Sequence, residues 1–167
     1  MLVNPDSPIR RAALEVEAHV AGGGWDQPPR LFALVSTAAI LASQPELAEE
    51  LAGAHEYTPV EQELEDVANF EELLLGVGWP EAVDGCAAVI ERLMIPAEVE
   101  SEVPSDPEAA QAFVAEHPER REVRLVAAVL RDGSAHSAVR GRADDSELLE
   151  GPDLVPGLVE LLRGTLA

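Results

Sequence analysis

One cysteine, four dispersed histidines and one short run of carboxylates are the residues through which this chain could do chemistry. Cys86 would act as a nucleophile only with a base beside it and an electropositive pocket around it. His117 or His136 would have to be brought in by the fold. Cys86 sits in the apolar run Gly85-Cys86-Ala87-Ala88-Val89-Ile90, and free cysteine is among the most buried residue types. A buried structural thiol is the expectation. A zinc site needs three or four convergent ligands. His19, His55, His117 and His136 show no paired spacing, and His55-Glu56 has no second histidine four residues on. Asp144-Asp145-Ser146-Glu147 offers oxygen ligands of the kind a divalent cation takes, but such runs are more often solvated loops. Gly22-Gly23-Gly24 follows a helical pattern rather than a strand, and no lysine or serine completes a phosphate cradle. No catalytic residue, metal or cofactor is expected.

The charge excludes further classes. Thirty-two acidic residues stand against eleven basic ones, all arginine, for a formal charge of −21. Nucleic-acid backbones and anionic lipid surfaces would repel such a chain. The absence of lysine removes Schiff-base chemistry, the P-loop lysine and the kinase lysine.

The elements that must position these residues follow from pattern and punctuation. At 167 residues the chain is expected to form one domain, 1–167, with a sizeable core. Hydrophobic residues make up 47% but aromatics only 4%, so leucine, valine and alanine must build that core. No run of about 18 apolar residues occurs, and no transmembrane helix is expected. Met1 to Asp6 lack the pattern of a signal peptide. With its single cysteine, the chain is expected in the cytoplasm.

Ser7-Pro8 reads as an N-cap and first turn. Ile9, Ala13, Val16 and Val20 continue the helical spacing up to the three glycines. Leu31 to Val35 reads as a buried strand, and a helix follows from Thr37 until Pro45 interrupts it. Residues 53–68 are acidic and poor in apolar content, which predicts a linker. Phe70 to Val77 is helical. Residues 86–95 fit both an amphipathic helix and a strand buried on both faces; Gly85 and Pro96 favour the strand. Residues 97–106 predict an acidic loop. Asp106-Pro107 opens a helix expected to pack through Ala109, Ala110, Phe113 and Val114, with Pro118 ending it at His117.

Asp132-Gly133 between two β-rich segments, 122–131 and 134–142, predicts a hairpin with a two-residue type I′ turn. That turn places Leu130 opposite Ala135, Val129 opposite His136 and Val126 opposite Val139. Val126, Ala128, Leu130, Ala135 and Val139 would share the core face. A last helix, capped by Asp153, carries Leu154, Leu158, Leu161, Leu162 and Thr165 on one stripe. The sum is an α+β fold: a small, mainly antiparallel sheet of about four strands covered by helices, the last packed on the sheet.

Four strings, GWDQPPRLFALV (24–35), WPEAVDGCAAVIERLMIP (79–96), HPERREVRLVAAVLRDG (117–133) and DLVPGLVELLRGTL (153–166), occur in that order. Through them the chain resembles a family of small, acidic, uncharacterised actinobacterial proteins. The resemblance implies a cytoplasmic protein and brings no activity, cofactor or catalytic residue. The order of elements is also similar in outline to secretion-chaperone-like folds, which bind other proteins.

Two functional readings follow. The first is a non-enzymatic protein-binding module, adaptor- or chaperone-like, with a partner that is basic if charge directs it, or with a second copy as a homodimer. Glu61, Glu63, Glu65 and Asp66 would attract the partner, and Tyr57 and Phe70 would anchor it. The second is a small enzyme or anionic-metabolite binder whose pocket collects Trp25, Trp79, Arg92, Arg131 and His136. Arginines converging on one cavity would favour the second.

Overall fold

The computed structural model describes residues 7–53, 55–64, 69–143, 148–152 and 154–166. Its first helix, α1 (Pro8–Ala21), starts as its sequence requires: the Ser7 side chain accepts from the Arg10 amide, Pro8 fills the first turn, and Gly22 caps the end. Then come β1 (Arg30–Ser36), α2 (Thr37–Ser43), β2 (Tyr57–Gln62), α3 (Phe70–Leu75) and β3 (Gly85–Met94). The second half holds α4 (Pro107–Glu116), β4 (Arg121–Leu130), β5 (Ala135–Gly141), β6 (Leu148–Gly151) and α5 (Pro156–Thr165). The six strands form one sheet in the order β2-β1-β3-β4-β5-β6, every neighbouring pair antiparallel.

The sheet is covered on both sides. On one face Ile9, Ala12, Ala13, Val16 and Val20 of α1 meet Phe32, Leu34, Ala87, Val126, Ala128 and Ala138. The alanines under α1 allow the helix to approach the strands closely. On the other face α3 and α5 bring Phe70, Leu74, Leu158 and Leu162 onto Leu31, Cys86, Ala88, Ile90, Leu125 and Val129. A strand buried on both faces loses its period-2 signature and reads as an apolar run. This explains why 86–95 fitted two patterns, and it is a strand, as its flanking breakers favour.

The sheet has six strands rather than about four: β2 lies within a segment expected to be a linker, and β6 lies where the sequence pattern assigns no element. β2, Tyr57–Gln62, lies in the middle of the segment 53–68 expected to be a linker, paired along β1 from Ser36↔Tyr57 to Leu31↔Gln62. Its acids misled because an edge strand exposes half its side chains. β6 adds the other edge.

The hairpin forms, but with a different turn. Of its two central residues only Gly133 has positive φ (+95°), whereas a type I′ turn needs two. The Gly133 amide donates to the Leu130 carbonyl and the Leu130 amide to the Ser134 carbonyl. This is a three-residue loop, with Asp132 Oδ1 accepting from the Ser134 amide at 2.8 Å. The register therefore shifts by one residue: Val129 faces Ala135, Ala128 faces His136 and Val126 faces Ala138. A one-residue slip turns a strand over. Ala135 and Val139 consequently join the α3–α5 core instead of the α1 face.

Three helical expectations also change. Residues 97–102 form a 3₁₀ turn within the acidic loop. No residue of α4 is buried; Ala110, Phe113 and Val114 are half-covered and Ala109 is exposed. With four alanines and only Phe113 and Val114 as larger apolar residues, α4 has little apolar area to bury. α5 begins after Val155, which makes no side-chain cap, and Leu154 precedes the helix. Asp153, the expected cap, lies outside the described residues, as does the 144–147 carboxylate run. Among the described residues no helix is long and apolar enough to cross a membrane.

Candidate functional site

The five residues of the metabolite-pocket reading do not share a cavity. Trp25 lies on the α1 face, where its ring stacks under the Arg124 guanidinium, 4.4 Å from ring centre to the guanidinium carbon. His136, opposite Ala128, also faces α1, and its Nε2 lies 3.0 Å from Glu150 Oε1. Trp79 belongs to the opposite core and donates from Nε1 to Thr165 Oγ1 at 2.9 Å. Arg92, exposed beyond that core, pairs with Glu71. Arg131 is bonded to backbone: it donates to the carbonyls of Trp79, Pro80, Val83 and Leu166. Leu166 closes α5, so the guanidinium also meets the negative end of that helix.

Cys86 is buried, with Sγ 3.5 Å from Thr165 Oγ1 and 3.7 Å from the Leu162 carbonyl. Burial pushes its thiol up to about 11, so the nucleophilic thiolate is disfavoured at neutral pH. The glycine triplet ends α1, and the Gly24 carbonyl accepts from Arg124. Among the described residues no group of three His, Cys, Asp or Glu side chains could hold a metal ion.

The residues of the partner-binding reading divide as well. Phe70 is buried in the α3–α5 core, so it is not an exposed anchor. Tyr57 is half-buried against the α1 core, on the opposite face. Glu61 is bridged by Arg30 Nε at 2.8 Å, which holds its carboxyl below the usual carboxylate range. Glu63 is exposed. Glu65 and Asp66 lie outside the described residues.

Tyr57 nevertheless stands at a built feature. Where β1 ends and β2 begins, an open cavity of about 800 Å³ is walled by Arg11, Thr37, Leu41, Glu56, Tyr57 and Asp84. Asp84 Oδ2 accepts from the Ser36 amide at 3.0 Å. Thr37 Oγ1 donates to the His55 carbonyl at 2.6 Å, so the Thr58 hydroxyl, 2.7 Å away, must donate to Thr37. These bonds fix the corner. Burial, and then the charges of Asp84, Glu56 and Asp132, raise the Tyr57 phenol above its ordinary value. The cavity therefore sets the carboxylates of Glu56 and Asp84 against the Arg11 guanidinium, beside one aromatic wall.

A family model matches residues 9–167, from the first turn of α1 through α5. The chain belongs to the PPA1309-like protein family. No curated protein and no solved structure matches it. The family match runs through both edge strands and through the acidic segment between α2 and α3.

Several polar residues of this family member tie distant elements together. Glu17 is buried under α1, and Arg140 Nε of β5 donates to it at 2.8 Å. Glu91 accepts from the amides of Asp26 and Gln27 at 2.9 and 3.0 Å, and Arg124, only 1% exposed, lies 3.5 Å from it. Asp26, at φ +66°, pairs in turn with Arg142. Together they pin the 22–29 loop to the sheet. Helical periodicity could have marked Glu17 as facing inward beside Val16 and Val20; nothing in the sequence named Arg140 as its partner.

Glu150 is shared by Arg10 and His136. Burial is the main cause that lowers the His136 pKa, with the nearby Arg10 charge adding to it, while Glu150 opposes the shift. The folded protein thus binds a proton at His136 less readily than the unfolded chain. Stability from this group is full above the ordinary value of 6.5 and is lost as pH falls through the folded value. The carboxyls of Glu150 and Glu61 are lowered, chiefly by Arg10 and Arg30, and their contribution is lost only below 4.5. Acid unfolding should accordingly weaken the fold in two stages, and His136→Gln should remove the upper one. Chemical-denaturation midpoints measured from pH 7.5 to 4 check this; a variant that retains both stages rejects the assignment.

Proposed function

We propose that this chain is a cytoplasmic, non-enzymatic protein-binding module, adaptor- or chaperone-like, that receives a basic partner at the acidic β2 flank. The observation that carries this reading is the cavity beside Tyr57, where Glu56 and Asp84 outnumber Arg11. Thirteen acidic residues and no basic one lie between Arg30 and Arg92, and that stretch supplies α2, β2 and α3. Crowded solvated carboxylates repel each other, and a basic surface relieves the repulsion while steering association. Tyr57 and Leu41 offer the apolar contact that charge alone lacks. Glu56 and Glu63, at either end of β2, extend the negative surface, and Glu61 between them is shared with Arg30.

Chemical groups elsewhere support a binding role over a catalytic one. Cys86 is a buried thiol bonded to α5, Arg131 is bonded to four carbonyls, and His136 is held by Glu150. Each has a structural task that accounts for its position.

The test compares the chain with a Glu56→Gln, Glu61→Gln, Glu63→Gln, Tyr57→Ala variant in crosslinking capture from native cells, followed by titration of the captured partner across salt. The wild type should bind more weakly as salt rises. The variant should lose the partner, and its residual binding should be flat with salt. If the variant captures the same partner with unchanged affinity and salt dependence, the flank is not the binding surface.

A further inference from the structure

The two edges of the sheet are guarded differently. An edge strand offers unpaired amides and carbonyls to another chain, and proteins blunt such edges with proline and charge. β2 is blunted: Pro59 has no amide hydrogen to offer, and Glu61, bridged to Arg30, lies on the same strand. β6, residues Leu148–Gly151, has no proline. Its one charged side chain, Glu150, is turned to the α1 face and held there by Arg10 at 2.8 Å and His136 at 3.0 Å. Among the described residues, the strand therefore presents backbone and Leu149, which is 62% exposed.

Leu149 does not stand alone. It sits opposite Val139, and with Val123 and Met94 it floors an open groove of about 620 Å³ on the sheet face beyond α5. Met94 is itself 45% exposed. Among the described residues, the charges lining this groove balance: Glu98 and Glu119 against Arg120 and Arg121. That balance matters in a chain of charge −21. A second copy is repelled by the acidic β2 flank, whereas a patch carrying both signs is complementary to itself under two-fold rotation. A strongly basic or strongly acidic partner gains no such match here.

We propose that the chain self-associates through this edge. In the dimer the β6 strands of two copies run antiparallel across a two-fold axis, which continues the sheet from one protomer into its partner. Each Leu149 side chain is covered at the same time, and the apolar floors of the two grooves lie beside the axis. The opposite edge, β2, stays free, so self-association is independent of the partner binding proposed above.

The salt response separates the two proposals. Screening of the overall negative charge should tighten the dimer as salt rises, whereas binding of a basic partner should weaken. The experiment is sedimentation velocity of the full chain over a wide concentration range, at low and moderate salt, beside Leu149→Asp. The wild type should shift from 17.8 kDa to twice that mass, at lower concentration when salt is added. Leu149→Asp should raise the concentration needed by at least roughly tenfold, since it places a charge in a desolvated apolar contact. Because Leu149 is exposed, the variant should keep the wild-type unfolding midpoint, which excludes misfolding as the cause. Hydrogen exchange should also slow at the Leu148–Gly151 amides as concentration rises. A wild type that remains at 17.8 kDa overturns the proposal, as does a dimer that Leu149→Asp leaves intact. Protection of these amides only in the presence of a different protein would assign the edge to that protein and equally overturn it.

Discussion

Replacing Gly85 with alanine should cost the fold about 3 kcal/mol or more, because the added methyl group meets backbone rather than a yielding side chain. Gly85 opens β3 between β1 and β4, opposite Leu34 and Leu130. A Cβ built there lies 2.3 Å from the Val129 carbonyl oxygen and 2.7 Å from Leu130 Cδ2. Leu130 has rotamers to try, but the Val129 carbonyl is held within the β4 ladder. The strands must separate, and Cys86, Ala87 and Ala88 follow directly along β3 in both cores. Urea unfolding of Gly85→Ala checks the size of the effect. Gly157→Ala and Gly164→Ala, where a methyl meets open space, are the controls and should be close to neutral. An alanine variant as stable as wild type would mean that β3 and β4 are not in the register described.

Arg140→Leu should cost about 3–5 kcal/mol, the range expected when one partner of a buried ion pair is removed. Glu17 is 2% exposed beneath α1, and Arg140 bonds to it from β5. Without the guanidinium, a carboxylate is stranded between a helix and a sheet. The double variant Glu17→Leu, Arg140→Leu should regain most of the loss, since two apolar groups have no desolvated charge to satisfy. A double-mutant cycle by thermal or chemical unfolding measures the coupling. Additive losses would place the two residues in separate environments and remove this tie between α1 and the sheet.

The helices and turns were legible where local chemistry sets them. Ser7-Pro8, Asp106-Pro107 and Pro118 mark helix ends through hydrogen bonds and ring sterics that depend on immediate neighbours. Register was not legible. Asp132-Gly133 suits both a two-residue and a three-residue loop, and the choice moved Ala135 and Val139 from one core to the other. The edge strands were hidden for a related reason. β2 and β6 bury little, so their composition resembles that of loops, and only pairing with β1 and β5 defines them.

The candidate site was partly visible. Charge and aromaticity point to Tyr57, Glu61 and Glu63, and Tyr57 walls a cavity with Glu56, Asp84 and Arg11. Phe70 has the same chemical type but enters the core, because the α3 stripe it heads faces α5. Asp84, which shares the cavity with Tyr57, stood far along the chain with no signal to connect them. Trp25, Trp79, Arg92, Arg131 and His136 looked alike as rare, ligand-capable residues, yet the sheet separates them onto two faces.

The sequence by itself determined the alternation of helices with apolar strands, the caps, the exclusion of lysine chemistry and the concentration of negative charge between Arg30 and Arg92. These depend on composition and on contacts a few residues apart. Only the tertiary structure decided which strands pair, which face each side chain takes and which carboxylates are paired with arginine. Those depend on contacts between residues such as Glu17 and Arg140, or Arg10 and Glu150, more than a hundred positions apart. Chain closure on that scale is set by the whole packing of the sheet and leaves no local pattern to read.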